Sequence, residues 1–146
     1  MAAFDSDQYA RFRAAPRQAV QSNEWHGRVR RAYWSFTTPG GGLAVNDTIN
    51  LAELPKDARI LGGRTVFGAM SSGAGTATVS IGYAGAASRY ASNLGVDAAG
   101  EADVADTAAL NFGEALADKQ TLVATVGGEA WAAAQPFAGY VEYMLD

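Results

Sequence analysis

Residues 76–83 read Thr-Ala-Thr-Val-Ser-Ile-Gly-Tyr, with Ala77, Val79, Ile81 and Tyr83 on one side and Thr76, Thr78, Ser80 and Gly82 on the other. A period of two is that of a strand with one dry face and one wet face, so a strand is predicted here. The same texture recurs on both sides of it. Residues 29–37 (VRRAYWSFT) set Ala32, Trp34 and Phe36 against Val29, Arg31, Tyr33 and Ser35. Leu43, Val45, Ile49 and Leu51 alternate up to the Pro55-Lys56-Asp57 turn, with Asp47 the one polar intruder. Residues 60–70 (ILGGRTVFGAM) form a third extended segment, whose Gly62-Gly63 pair predicts a bulge that bends the strand. Runs at 106–112, 121–126 and 137–145 turn inward Ala108, Leu110 and Phe112, then Leu122, Ala124 and Val126, then Phe137, Val141, Tyr143 and Leu145. The last of these suits a sheet edge or an interface. Residues 84–105 read as a long connection of small and acidic residues with a helical turn around 86–91. Short strands at this spacing predict an all-β fold, an antiparallel two-sheet sandwich that is jelly-roll-like, with an extended N-terminal arm.

A chain of 146 residues closes one such domain. The hydrophobic share is 49%, but 31 of those residues are Ala, and 17 further residues are Gly, so the interior is one thin two-layer core. Residues 1–28 differ in kind, because Phe4, Tyr9, Phe12, Val20 and Trp25 are spaced irregularly and Pro16 breaks any helix. The chain divides into an extended arm, 1–28, and a sandwich domain, 29–146. Charge follows a similar line: residues 1–31 hold Arg11, Arg13, Arg17, Arg28, Arg30 and Arg31 against Asp5, Asp7 and Glu24, net +3, and the remainder is net −7. An acidic body argues against direct binding of nucleic acid or of an anionic membrane. No run of about 18 apolar residues exists to span a bilayer, and charge interrupts the start where a secretory signal has its apolar stretch. The expected place is the cytoplasm or an assembly built there, and the sequon Asn46-Asp47-Thr48 is then a chance match.

Little in the sequence points to catalysis. With no Cys there are no thiolate metal sites, disulfides or cysteine nucleophiles, and the single His26 leaves no imidazole cluster. The glycines of Gly73-Ala74-Gly75 and Gly82-Tyr83-Ala84-Gly85 have neither phosphate-loop nor dinucleotide spacing and read as turns. Glu101, Asp103, Glu114, Glu129 and Glu142 are the carboxylates available for glycoside chemistry, yet only Glu142 lies on a well-patterned strand, beside Ala138 and Tyr140. The acidic stretch 97–106 lacks the order of a calcium loop. No enzyme activity, cofactor or metal is therefore expected. Contact is the remaining chemistry. Phe4, Tyr9, Arg11, Phe12, Arg13, Arg17, Trp25, His26 and Arg28 make a basic, aromatic arm fit to lie across an acidic protein neighbour and to order on binding. Arg31, Tyr33 and Trp34, where arm meets body, are candidate subunit-interface residues because Trp, Tyr and Arg most often anchor interfaces. Alternation also places Trp34 and Phe36 in the core.

The stretch from Asn46 to Tyr90 carries a resemblance. NDTINLAELPKDARILGGRTVF, followed by ATVSIGYAGAASRY, resembles the small jelly-roll head-decoration or cement proteins of tailed bacteriophages, those of Bordetella-type podophages most of all. The matching features are a polar strand entering a Leu-Pro-x-x-Ala-Arg-Ile turn, the Val-Ser-Ile-Gly-Tyr strand and Ser-Arg-Tyr. About a third of the chain is covered. Asp57 stands where that pattern often has Gly, and Tyr83-Ala84-Gly85 replaces an acidic run, so loop contacts of relatives are not carried over. The resemblance implies a non-enzymatic virion protein, assembled in the host cytoplasm. It would sit on the outer surface of the capsid, bind the major capsid protein and tie its neighbours together against internal DNA pressure. Self-association is expected too, as a dimer first and a trimer second. The rival is a carbohydrate- or receptor-binding β-sandwich of a virion, using Tyr83, Tyr90 or Tyr140 as exposed aromatics.

Overall fold

Antiparallel pairing nests the strands in a regular way. The computed structural model describes residues 14–16, 28–104 and 114–145. Its strands are β1 (Val29–Thr37), β2 (Thr48–Leu54), β3 (Arg59–Phe67), β4 (Thr78–Tyr83), β5 (Ala86–Gly95), β6 (Gly100–Val104), β7 (Gln120–Gly127) and β8 (Pro136–Met144). β1 pairs β8, β2 pairs β7, β3 pairs β6 and β4 pairs β5, so the first half of the chain lies against the second like one long hairpin. Rolling that hairpin adds the pairs β3–β8 and β4–β7, and the result is two four-stranded sheets, β1-β8-β3-β6 and β2-β7-β4-β5. This is the jelly-roll arrangement of an all-β sandwich, as the alternation predicts.

The inward residues are those the period selects. Val79 and Ile81, with Leu122, Ala124 and Val126, fill the inner face of the β2-β7-β4-β5 sheet, and Trp34, Ile60, Phe67, Phe137 and Val141 fill that of the other. Phe137 is the hinge of the core. Its ring lies 6.2 Å from that of Trp34 and 5.6 Å from that of Trp131. Gly139 has no Cβ because a Cβ there would stand 2.6 Å from Cζ2 of Trp34 and against the carbonyl of Arg64. Among the described residues the two buried threonines are satisfied: Thr65 Oγ1 donates to the Ala138 carbonyl at 3.1 Å, and Thr38 Oγ1 donates to the Ala132 carbonyl at 2.7 Å.

Three expectations change. Residues 84–105 are not a connection with a helical turn: after the Ala84-Gly85 turn they form β5 and β6, and no helix occurs among the described residues. Ala, Ser and Gly have weak strand preference, and here pairing with β4 and β3 overrides it. The second strand starts later than its alternation suggests. Asn46 adopts a φ of 73°, Asp47 accepts the Ala44 N–H at 2.8 Å, and Val45 is exposed, so a turn separates Leu43 from β2. The strand from Pro136 lies inside its sheet, between β1 and β3, and not at an edge. The run 106–112 lies outside the described residues. Two details of the reading do appear: the register shifts between Ile60 and Gly62, where the glycine pair predicts a bulge, and Asp57 has a φ of 67°, the left-handed geometry that favours Gly.

Candidate partner-binding faces

Register between strands more than a hundred residues apart builds the outer face of the β1-β8-β3-β6 sheet. Arg31 stands opposite Glu142, and Tyr33 opposite Tyr140. Across β8, Tyr140 stands opposite Arg64 and Ala138 opposite Val66, and across β3, Arg64 faces Asp103 and Val66 faces Glu101. The rows are therefore Tyr33–Tyr140–Arg64–Asp103 and Ser35–Ala138–Val66–Glu101. Arg31 Nε donates to Glu142 Oε1 at 2.9 Å, and its guanidinium lies 5.0 Å from the centre of the Tyr140 ring. The Tyr33 and Tyr140 rings are 5.9 Å apart. Hydrogen bonding with Tyr33, then with Glu142, raises the Arg31 pKa above its ordinary value. Arg64 bridges Glu101 at 3.3 Å and Asp103 at 3.4 Å. Tyr33 remains 65% exposed and Val66 52%.

The three interface candidates of the sequence are thus separated. Arg31 and Tyr33 project together from this face, whereas Trp34 is 7% exposed and packs inward on Phe137. Arg28 is exposed immediately ahead of β1. Phe4, Tyr9, Arg11, Phe12, Arg13, Arg17, Trp25 and His26 lie outside the described residues. Sequence reasoning did not select Tyr140, Arg64, Val66, Glu101 and Asp103 as companions of Arg31 and Tyr33. The face of Tyr140 was visible in the alternation of its strand, but Glu101 and Asp103 fall in a stretch that reads as a connection, and the cross-strand neighbours of none of the five were visible.

The opposite outer face is of another kind. Thr48 and Asn50 of β2, Val123 and Thr125 of β7, and Tyr83, Ala84, Gly85 and Ala87 of the β4–β5 hairpin line a shallow cleft of about 260 Å³. Nothing charged lines it. The Tyr83 ring lies 6.2 Å from that of Tyr90, which is buried rather than exposed, and burial pushes the Tyr90 hydroxyl up to about 12.

At one end of the sandwich the loops are locked to each other. Trp131 bridges to both Leu43 and Ser71, and its Nε1 donates to the Thr78 carbonyl at 3.2 Å. Glu129 accepts the backbone N–H groups of Ala74 and Thr76, both at 2.9 Å, and the Ser72 hydroxyl at 3.2 Å. The Gly73 and Gly75 N–H groups bond instead to Ser71 Oγ, so this glycine loop closes on a side chain and offers no phosphate cradle. Hydrogen bonds from Ser71 first, and from Ala74 next, hold the Glu129 carboxyl down at about 2. That carboxylate is committed to the loop. Among the described residues no group of three or more His, Asp or Glu side chains is placed to hold a metal ion.

The eight described strands define a jelly roll. Comparison with solved structures places it beside proteins of phage capsids. It is similar to a chain of the cyanophage Pam1 capsid asymmetric unit, with 25% identity, a TM-score of 0.69 and 100% of both chains covered. It is also similar to a chain of the capsid of Ralstonia phage GP4, with 19% identity and a TM-score of 0.68 over 82% of this chain and 86% of that one. A chain of the acid-stable capsid of Helicobacter pylori bacteriophage KHP30 matches with 21% identity and a TM-score of 0.58 over 82% and 90%. The last two likenesses speak for the fold alone. No protein-family model and no curated protein matches the chain.

Proposed function

We propose that this chain is a non-enzymatic structural protein of a phage virion that binds the outer surface of the capsid and cements neighbouring major capsid proteins, steadying the head against packaged DNA. The observation that carries the reading is the likeness to a chain of a cyanophage capsid over the full length of both. The cement-protein resemblance of residues 46–90 supports the finer role. A body with contact faces and, among the described residues, no assembled catalytic group suits it as well. The division into an arm, 1–28, and a sandwich, 29–146, belongs to the same reading. About 28 residues at roughly 3.3 Å each reach on the order of 90 Å, enough to cross an adjacent subunit. In the arm, Phe4, Tyr9, Arg11, Phe12, Arg13, Arg17, Trp25, His26 and Arg28 are the contacts with the major capsid protein. A modest affinity per copy suffices, because a shell presents many equivalent sites and bridging two of them adds avidity. The protein also self-associates, as a dimer before a trimer.

The test is to sediment the purified protein with empty and DNA-filled heads of its own phage and to count copies against the major capsid protein. A saturating ratio fixed by icosahedral symmetry is expected, and absence of co-sedimentation overturns the role. Removing residues 1–27 is expected to leave a folded sandwich that no longer decorates heads. A second reading, a carbohydrate- or receptor-binding sandwich of a virion, draws on the uncharged cleft beside Tyr83 and Asn50. A glycan array with no binding above background removes it.

A further inference from the structure

We propose that the outer face of the β1-β8-β3-β6 sheet is a two-fold contact between two copies of this chain, with the symmetry axis running along the strands between β8 and β3. The proposal rests on the self-association named above and does not require the capsid. Of the four large apolar side chains exposed among the described residues, Val29, Tyr33, Val45 and Val66, all but Val45 lie on this sheet, and outward parity puts them on this one face. Monomers seldom leave such side chains gathered between charged neighbours unless something covers them.

The charges say what covers them. Across the sheet the signs run in strand order: Arg31 on β1, Glu142 on β8, Arg64 on β3, Glu101 and Asp103 on β6. Plus and minus alternate over an even number of strands. A half-turn about an axis parallel to the strands reverses their order, laying β1 over β6 and β8 over β3 of the second copy. Row for row, Tyr140 then stands over the second copy's Arg64, Tyr33 over its Asp103 and Ala138 over its Val66, so no charge in these rows meets its like. A half-turn about the perpendicular in-plane axis lays each strand over its own equivalent, like charge on like charge, and is disfavoured. The face is thus complementary to itself about the axis along the strands, and self-complementarity is what an isologous contact requires. Four strands about 4.8 Å apart and roughly 30 Å long give on the order of 500 Å² per copy, or about 1,000 Å² in the pair, near the lower bound of a specific interface. A micromolar dimer follows, and a shell strengthens it by holding copies side by side.

The chain contains no Cys, which makes the test direct. The full-length protein is sedimented at equilibrium from about 1 to 100 µM, the range in which so small an interface dissociates. Val66→Cys, on a strand beside the axis, is treated with a short bismaleimide alongside Val123→Cys on the opposite sheet. A concentration-dependent dimer that cross-links through position 66 and not through 123 is expected. Val66→Lys is expected to weaken the dimer at least about tenfold with an unchanged circular dichroism spectrum. A wild type that stays monomeric throughout, a dimer that cross-links through 123, or a Val66→Lys protein that dimerises as well as the wild type each overturns the proposal. Head co-sedimentation separates this outcome from the capsid role: a dimer that ignores heads removes only that role, and a monomer that saturates them removes only the two-fold contact.

Discussion

The two outer faces of the sandwich share an architecture and differ in almost everything else. Across β1, β8, β3 and β6 stand Arg31, Tyr33, Tyr140, Glu142, Arg64, Val66, Glu101 and Asp103, large side chains that engage each other and still leave Tyr33 and Val66 more than half exposed. Across β2, β7 and β4 stand Thr48, Asn50, Thr121, Val123, Thr125 and Ser80, and the ion pairs of that half, Lys119–Glu53 and Arg89–Glu114, keep to its margin. The inner faces show no such contrast: Val79 and Ile81 are as fully buried as Phe137 and Val141. A jelly roll is thus specified by what its strands turn inward, which leaves the outward positions free to carry function. Among the described residues, large side chains of both signs stand on the middle strands of the first face, and on the second they keep to the edge strands β2 and β5 and the loops beside them.

The widest test asks whether the inner faces really are equivalent. Phe137→Ala removes a fully buried ring that touches both Trp34 and Trp131 and is expected to cost about 3–5 kcal/mol, while Ile81→Ala on the other sheet costs about 2–5 kcal/mol, both read from urea unfolding. A cost well under 1 kcal/mol for Ile81→Ala would show that the second sheet is a loose cover, and the contrast between the faces would then begin in the core.

Smaller effects should separate an inner position from an outer one. Gly139→Ala pushes a Cβ to 2.6 Å from the Trp34 ring and against the Arg64 carbonyl, an overpacking expected to cost about 1–3 kcal/mol in the same measurement. Val123→Ala, outward on β7, is expected to stay within about 1 kcal/mol. An equal cost for the two would mean that the outward residues of the second sheet are more constrained than their exposure suggests.

These differences explain what the sequence makes legible. Alternation in VRRAYWSFT, TATVSIGY and TLVATV marks inner from outer without any structure, and Trp34 falls inside on parity alone. Residues 84–105 defeat the same method. Their strands are built from Ala, Ser, Gly and Asn, and β5 shifts register against β4 between Val79 and Ile81 and again between Ile81 and Tyr83, which breaks any period of two. The contact face is harder still. The pairing of Arg31 with Glu142 spans 111 positions and depends on a register that no local pattern encodes. Parity tells which side a residue takes, and only pairing tells whom it meets.

If the locked loop end rather than the charged face governed assembly, the contrast between faces would matter less, and Glu129 tests this. Its folded pKa of about 2 lies below the ordinary 4.5, so its contribution to stability is complete above about pH 4.5 and is lost as pH falls toward 2. Glu129→Gln is expected to unfold more easily in urea at pH 7. Its deficit should shrink steadily between pH 4.5 and 2, while its sedimentation at neutral pH remains that of the wild type. A change in self-association at neutral pH would transfer the contact from the sheet to the loops.

The least effect on stability is expected at Arg64, where the meaning of the charged face is sharpest. Its bridges to Glu101 and Asp103 are 3.3 and 3.4 Å long, and both carboxylates are more than half exposed, so water already screens most of what they could contribute. Arg64→Ala should cost the monomer no more than about 1 kcal/mol, and a double-mutant cycle with Glu101→Gln should return a coupling of a few tenths. Residues that contribute so little to folding, yet whose signs alternate from strand to strand, are arranged for something other than the monomer. A coupling of several kcal/mol would reverse that conclusion, since the alternation would then serve to hold four strands together and the plain face, which lacks it, would need another account of its stability.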